Sequence, residues 1–160
     1  MMAGKVTQTA QRQPLQFTGY AAIFNAVDRG GEIIRPGAFT TTLARLQQKR
    51  IGGEPGPVAL PLLWQHDARH PVGTVLSLAE DDRGLRVTAQ LFAQSPAPLE
   101  KVSAGAVSGL SFGYRVAHSR HDRAGRPREL LALDLVEISL VTSPMQPLAR
   151  IHAVEPVLPP

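Results

Sequence analysis

The segment most informative about the architecture is Gly109-Leu110-Ser111-Phe112-Gly113-Tyr114-Arg115-Val116. A helical pattern precedes it, because Ser95 and Pro96 are typical of a helix start and apolar residues recur after them at helical spacing (Leu99, Val102 and Ala106). The segment itself continues as a strand. Its first five residues match the G-x-S-x-G pattern of α/β-hydrolases, in which a strand precedes the serine and a helix follows it. Since that order is reversed here, the sequence argues against that fold.

Strand patterns dominate the rest of the chain. Residues 15–24 have strand composition, and residues 72–78 and 85–91 alternate like half-buried strands joined by a turn, which predicts an antiparallel hairpin. Ile33-Ile34 predicts a further short strand. After it, Pro36 suits a first helical turn and Gly52-Gly53 a helix stop, with apolar residues at helical spacing between them (Phe39, Leu43 and Leu46). We therefore expect a mainly β protein with inserted helices (α+β), a partly closed β-barrel or strongly curved sheet flanked by helices.

Composition predicts one compact domain. The 160 residues are 43% hydrophobic and 19% charged, and they include no cysteine, which excludes disulfides and thiolate metal sites. The predicted domain covers residues 15–151, between flexible segments at 1–14 and 152–160. Residues 1–8 lack the apolar core of a signal peptide. A transmembrane helix needs about 20 consecutive apolar residues, and no apolar run in the sequence is close to that length. These observations favour a soluble, cytoplasmic protein without a membrane partner.

The formal charge of +4 raises the question of nucleic-acid binding. The arginines concentrate around Asp122-Arg123-Ala124-Gly125-Arg126-Pro127, where glycine and proline indicate a hairpin turn. No stacking aromatic residues are interleaved with them, so a solvated hairpin is favoured over a phosphate-binding loop. We do not expect nucleic acid to be the main partner.

Three side chains form the candidate chemical site. Ser111 needs a neighbouring base to accept its proton before it can act as a nucleophile, and His66, after a long apolar run, is the candidate base. Glu137 lies in an otherwise apolar strand, predicted to share a face with Leu133 and Leu135. Burying that carboxylate without a partner would cost several kcal/mol. The sequence therefore predicts that Glu137 pairs with His66 and orients its imidazole.

Each of these residues has a structural alternative. Ser111 stands between two glycines and suits a bend in a strand. His66 suits a surface ion pair with Asp67, and Glu137 suits a structural bridge to an arginine. The orienting role is also open to other side chains (Asp134, Asp67 and His118).

The histidines are also spaced in pairs, His66 with His70 and His118 with His121. Pro71 argues against a helix that presents the first pair to a metal, and the second pair lies in the basic hairpin. We therefore expect no metal and no cofactor. The candidates for an oxyanion-stabilising donor are backbone N–H groups in the turn after Val141, or Arg150.

Five motifs in one order carry a resemblance to a known family. They are Gly19-Tyr20-Ala21-Ala22-Ile23-Phe24, Ile34-Arg35-Pro36-Gly37-Ala38-Phe39, Leu63-Trp64-Gln65-His66-Asp67, Gly109-Leu110-Ser111-Phe112-Gly113-Tyr114, and Leu135-Val136-Glu137-Ile138-Ser139-Leu140-Val141 with Pro144 and Pro147 after it. In these the chain resembles the tailed-phage prohead protease family, which is related to herpesvirus assembly proteases. The departures are Gly31-Glu32, where Gly-Asp is frequent, and Met145-Gln146, where Ala-Asn is usual.

The resemblance implies a β-barrel serine endopeptidase that acts inside an assembling procapsid. Its expected substrates are the scaffold or the scaffolding segment of the major capsid protein, and possibly the chain itself. It implies His66 as base and Ser111 as nucleophile, with Glu137 where herpesvirus relatives use a second histidine. It also implies a homo-oligomer, a dimer by analogy. The alternatives are a non-catalytic scaffold-binding module on the same barrel and a nucleic-acid-binding barrel.

Overall fold

The computed structural model describes residues 12–48, 56–121 and 123–159. Within them the chain alternates strands with two short helices, as predicted for a mainly β protein. The elements are β1 (Leu15–Ile23), β2 (Glu32–Ile34), α1 (Thr40–Gln48), β3 (Pro61–Trp64), β4 (Asp67–Glu80), β5 (Gly84–Leu91), α2 (Pro96–Ser103), β6 (Gly109–Arg120), β7 (Arg128–Val141) and β8 (Ile151–Pro156).

The strands form one mixed sheet in which β7 is the central element. One edge of β7 pairs with β6 along most of its length, and the other edge pairs in parallel with β2 near its start and with β3 near its end. From β3 the sheet continues through β4, β5, β1 and β8. This order places β3 and β6 on either side of the second half of β7.

The sheet is not closed into a true barrel. This corrects the complete β-barrel that the resemblance implied and agrees with the partly closed barrel or curved sheet that the strand pattern predicted. Among the described residues, its two ends meet at one isolated bridge between Gly109 and Arg150. Two backbone hydrogen bonds support this meeting, from Leu110 N–H to Ala149 O (3.0 Å) and from Ile151 N–H to Ser108 O (2.8 Å). Beyond the bridge β8 pairs with β1 while β6 follows β7, so no continuous ladder forms between the ends.

Helix α1 and the turn before it lie along the edge of β7, between the stretches that pair with β2 and β3. The backbone N–H of Leu133 donates to Ala38 O at 2.9 Å, and that of Leu135 donates to the buried Thr42 hydroxyl at 3.2 Å. The predicted helix start is corrected: Pro36 lies in the turn before α1, and Phe39 is fully buried just ahead of Thr40. The predicted stop at Gly52-Gly53 lies outside the described residues.

The predicted hairpin is confirmed as β4 and β5, and the basic turn joins β6 to β7, although Asp122 is outside the described residues. Helix α2 begins at Pro96 as predicted, but the side chain of Ser95 makes no capping hydrogen bond. The helix is shorter than predicted. It ends at Ser103, Gly105 follows in the left-handed region with φ of 71°, and Ala106 is exposed beyond it.

The chain after residue 151 differs from the predicted unpacked tail. Residues 151–156 form β8 and pair antiparallel with β1. The side chains from His152 to Pro156 are exposed, so the strand is held mainly through backbone hydrogen bonds. For the same reason its sequence does not alternate between apolar and polar residues. Of the predicted N-terminal segment, residues 1–11 lie outside the described part. None of the described helices is long and apolar enough to cross a membrane.

Candidate active site

His66 lies in the two-residue turn between β3 and β4, whose flanking residues Trp64 and Asp67 pair with each other. Gln65 and His66 both have positive φ, 52° and 60°. That conformation is typical of a type I′ hairpin turn, which favours Asn-Gly and costs a residue with a Cβ about 1–2 kcal/mol. A strained backbone that positions a polar side chain is a feature of functional sites.

Strand β7 and the residue after it hold this turn in place. The N–H of Gln65 donates to Leu140 O at 2.9 Å, and the N–H of Thr142 donates to the Gln65 side-chain oxygen at 3.3 Å. The N–H of His66 donates to the Ser139 hydroxyl at 3.2 Å. The imidazole is therefore fixed relative to β7, although the turn is at the surface.

A β-bulge in β7 decides which way Glu137 faces. Gly113 pairs with Glu137 but Tyr114 pairs with Leu135, so Val136 is an extra residue in β7. Leu135 belongs to the core before the bulge and Ile138 belongs to it after the bulge. Because neighbouring strand residues face opposite sides, Glu137 points away from the core face. The prediction that Glu137 shares a face with Leu133 and Leu135 is therefore wrong.

The predicted pairing of Glu137 with His66 is present. One carboxylate oxygen, Oε1, contacts the imidazole Nδ1, and the other, Oε2, accepts a hydrogen bond from the Ser139 hydroxyl at 2.6 Å. The Glu137 side chain is 8% exposed and that of His66 is 44% exposed. The carboxylate is thus enclosed while the imidazole remains accessible to another molecule.

Glycine at position 113 makes room for this carboxylate. A Cβ on Gly113 would lie 2.7 Å from Oε1 of Glu137 and 2.9 Å from its Cγ. Any larger residue would therefore push the acid away from its present position.

The hydrogen bond that His66 donates to Glu137 raises the pKa of His66, and the negative charge of the carboxylate adds to the effect, while partial burial opposes it. Because Nδ1 faces the carboxylate, the neutral imidazole carries its proton there and leaves Nε2 as the acceptor. The free nitrogen is the one that a general base uses in a serine-based triad.

Ser111 lies on β6 directly opposite Ser139 of β7. Paired residues of neighbouring strands face the same side, so Ser111 shares its sheet face with Ser139 and Glu137. The Ser111 side chain is partly exposed. Among the described residues, no hydrogen bond joins the Ser111 hydroxyl to His66. The structure therefore brings the acid and the base into contact and places the serine on the neighbouring strand.

Two depressions flank Tyr114. A small cavity of about 40 Å³ is lined by Ser111, Tyr114, Met145 and Gln146, with alanines at its wall. An open groove of about 660 Å³ is lined by His66, Glu137, Gly113 and the same Tyr114. The small cavity is also lined by the core residues Leu110 and Phe112, so it lies on the core side of β6, whereas the open groove lies beside His66 and Glu137.

The alternative orienting residues lie elsewhere. Asp134 is near Arg45 (3.5 Å), and Asp67 bonds to Arg69 (3.1 Å), which lowers the pKa of its carboxyl to about 2. His118 is an exposed residue of β6. Two of the predicted oxyanion donors have other hydrogen-bond partners. The Thr142 N–H is donated to Gln65, and the Arg150 guanidinium donates to Pro147 O (3.0 Å) and the Ser108 hydroxyl (3.3 Å). Within the described ranges, no group of three metal-ligating side chains clusters.

The sequence-based reasoning missed Ser139, Gly113 and Gln65. A signal for Ser139 was present, because it is the second polar residue at strand spacing in an otherwise apolar stretch, two positions after Glu137. The contribution of Gly113 and Gln65 depends on strand pairings that link distant parts of the chain.

Solved structures define the class of fold. The chain resembles the protease of KSHV, solved with a hexapeptide phosphonate inhibitor, with a TM-score of 0.55 and 18% identity over 89% of this chain and 65% of that one. The varicella-zoster virus protease gives a TM-score of 0.53 at 13% identity, covering 89% of this chain and 64% of that one. The capsid assembly protease of bacteriophage T4 gives 0.51 at 12%, covering 78% and 79%. At these identities the likeness establishes the herpesvirus-protease fold.

The sequence comparison then identifies the family. The model described as caudovirus prohead serine protease matches residues 4–158, so this chain belongs to that family, as the resemblance predicted. The prohead protease of Enterobacteria phage HK97 is 34% identical over 146 residues, covering 88% of this chain and 60% of that protein. The prohead protease of Escherichia phage T5 is 27% identical over 118 residues, covering 73% and 52%. The chain thus spans only part of the length of both relatives.

Proposed function

We propose that this chain is a serine endopeptidase in which His66 is the general base, Ser111 the nucleophile and Glu137 the residue that orients the imidazole. The observation that carries the proposal is the contact between Glu137 and His66 Nδ1 on the sheet face that also bears Ser111. Membership of the prohead serine protease family supports the same reaction. The half-exposed imidazole next to an enclosed carboxylate is the arrangement that a base needs to meet a substrate.

The chemistry follows from the free nitrogen of His66. As the Ser111 oxygen attacks the peptide carbonyl, Nε2 accepts the hydroxyl proton and then passes it to the leaving amine. A water molecule deprotonated by the same nitrogen hydrolyses the acyl-enzyme and regenerates Ser111. Glu137 keeps its negative charge throughout and stabilises the imidazolium. In this mechanism Ser111 and His66 approach each other when the substrate binds.

We further propose that the substrate is the scaffold, or the scaffolding segment of the major capsid protein, cleaved inside the procapsid in the host cell. The names of the relatives support this: prohead proteases in phages HK97 and T5, and a capsid polyprotein in Pseudomonas phage PAJU2, 27% identical over 61% of this chain. Cleavage of the chain by itself and assembly into a homodimer belong to the same proposal. We expect the enzyme to have low activity while it is dilute and to become active when it is concentrated with its substrate in the shell. Host proteins would then be spared.

The test is intact-mass analysis of the purified chain incubated with the capsid and scaffold proteins of the same phage. We expect defined fragments with the parent chain and none with Ser111→Ala or His66→Ala. The matched controls are Ser77→Ala and His70→Ala, which remove an exposed serine and an exposed histidine of β4. Both controls should cleave like the parent. Undiminished cleavage by Ser111→Ala would overturn the assignment of the nucleophile.

If the capsid and scaffold proteins remain intact with the free enzyme, the same incubation is repeated with assembled procapsids. Binding of the chain to procapsids without any cleavage in this second incubation would overturn the peptidase proposal and leave a non-catalytic scaffold-binding module. The nucleic-acid-binding alternative is tested by measuring the affinity of the chain for nucleic acid at increasing salt concentration. A basic hairpin that contacts phosphates loses affinity steeply as the salt concentration rises.

A further inference from the structure

The Ser139 hydroxyl is placed between the two groups that the proposed mechanism uses as base and acid. It donates to Oε2 of Glu137 at 2.6 Å and accepts the backbone N–H of His66 at 3.2 Å. The side chain is fully buried in β7, directly opposite Ser111. One hydroxyl thus satisfies the second carboxylate oxygen and holds the strained turn that presents the imidazole.

These contacts exceed what packing alone requires. Position 139 is itself fully buried, so a small apolar residue would satisfy the packing of the strand there. A buried hydroxyl is retained without loss only when its hydrogen bonds are made. Both of its bonds go to the pair His66 and Glu137, and neither goes to the sheet ladder.

We propose that Ser139 is a positioning residue of this site, which locks the Glu137 carboxylate against the imidazole and ties the His66 turn to β7. The inference rests on the proposed peptidase function and deepens it. The carboxylate has two oxygens, and only when Oε2 is held by Ser139 is Oε1 fixed toward Nδ1. In metal sites, removing a hydrogen bond that orients a ligating side chain changes activity by about 10–100-fold, and we expect an effect of that order here.

The test combines steady-state kinetics with an NMR titration of His66 in Ser139→Ala. We expect kcat to fall by about 10–100-fold with little change in KM, because Ser139 does not reach the substrate. We also expect the titration midpoint of His66 to fall toward 6.5, since a loosened carboxylate raises it less. Ser139→Thr keeps the hydroxyl and should restore most of both properties.

The matched control is Thr42→Ala. Thr42 is also a fully buried hydroxyl that accepts a backbone N–H of β7, that of Leu135 at 3.2 Å, but it has no contact with the acid or the base. This control should lower the melting temperature while kcat and the His66 midpoint stay at the parent values. If Ser139→Ala does not fold, Ser139→Cys, which has a weaker donor of similar shape, takes its place.

The readouts separate the two proposals. If Ser139→Ala lowers the melting temperature as Thr42→Ala does but keeps the parent kcat and His66 midpoint, Ser139 has only a structural role and the inference is overturned. If the parent chain cleaves nothing, the peptidase proposal is overturned, and the titration still decides the inference. A lowered midpoint in Ser139→Ala then supports it, and a midpoint at the parent value overturns it.

Discussion

Substituting alanine for Gly113 should separate the acid from the base without removing either. The new Cβ would lie 2.7 Å from Oε1 of Glu137, and ordinary contacts begin at 3.4 Å, so the oxygen must retreat by about 0.7 Å. A displacement near 1 Å in a catalytic arrangement costs about a hundredfold in rate, so turnover should fall at least about tenfold. The overpacking should also destabilise the fold by about 1–3 kcal/mol.

The assay for this variant follows the His66 ring protons by NMR as pH is raised, alongside turnover and thermal melting. The midpoint of His66 lies above 6.5 in the parent because Glu137 holds the protonated form, and it should fall toward 6.5 in Gly113→Ala. The control is Gly30→Ala, whose Cβ would lie no closer than 3.3 Å to any neighbouring atom. A folded Gly113→Ala protein with the parent midpoint and turnover would show that the space at Gly113 does not hold Glu137 against His66.

Two further predictions concern protons held by carboxylates. Because folding raises the pKa of His66, kcat/KM should rise with pH through a midpoint above 6.5. The free energy of unfolding that protonated His66 contributes should be present below pH 6.5 and lost as pH rises through the pKa of His66 in the folded state. Urea unfolding between pH 5 and 9 measures the second effect, and Glu137→Gln should abolish it. Tyr114→Phe removes a hydroxyl that donates to Glu32 at 2.9 Å, so it should destabilise the protein by about 1–2 kcal/mol and remove the phenol whose pKa burial raises to about 12. Spectrophotometric titration of the tyrosines checks the loss of this phenol, and urea unfolding checks the loss of stability. An unchanged midpoint of urea unfolding in Tyr114→Phe would contradict the prediction.

The sequence predicted the elements whose signals are local. The hairpin of β4 and β5 and the strand after Gly109 follow from side-chain alternation within a few residues. Strand β8 gave no such signal, since its outward-facing side chains are exposed and its pairing with β1 is made by the backbone. The open ends of the sheet, joined by one bridge, also depend on pairings that no local pattern records.

The candidate site was predictable in its residue types but not in its geometry. The cost of burying the Glu137 carboxylate without a partner was enough to predict its pairing with His66. The bulge at Val136, which turns Glu137 away from the core, arises from the register of β6 against β7. The left-handed turn at His66 is stabilised from β7, 73 positions away at Ser139. Such long-range pairings decide where a polar residue of a strand points.

Covalent labelling with a fluorophosphonate ester, followed by peptide mapping, shows whether Ser111 is a nucleophile activated by His66. Such an electrophile reacts with a serine only where a neighbouring base activates the hydroxyl. We predict a single adduct on Ser111, lost in Ser111→Ala, formed at least tenfold more slowly in His66→Ala and formed at the parent rate in His70→Ala. An adduct on another serine, or labelling of Ser111 that is unaffected by His66→Ala, would contradict it.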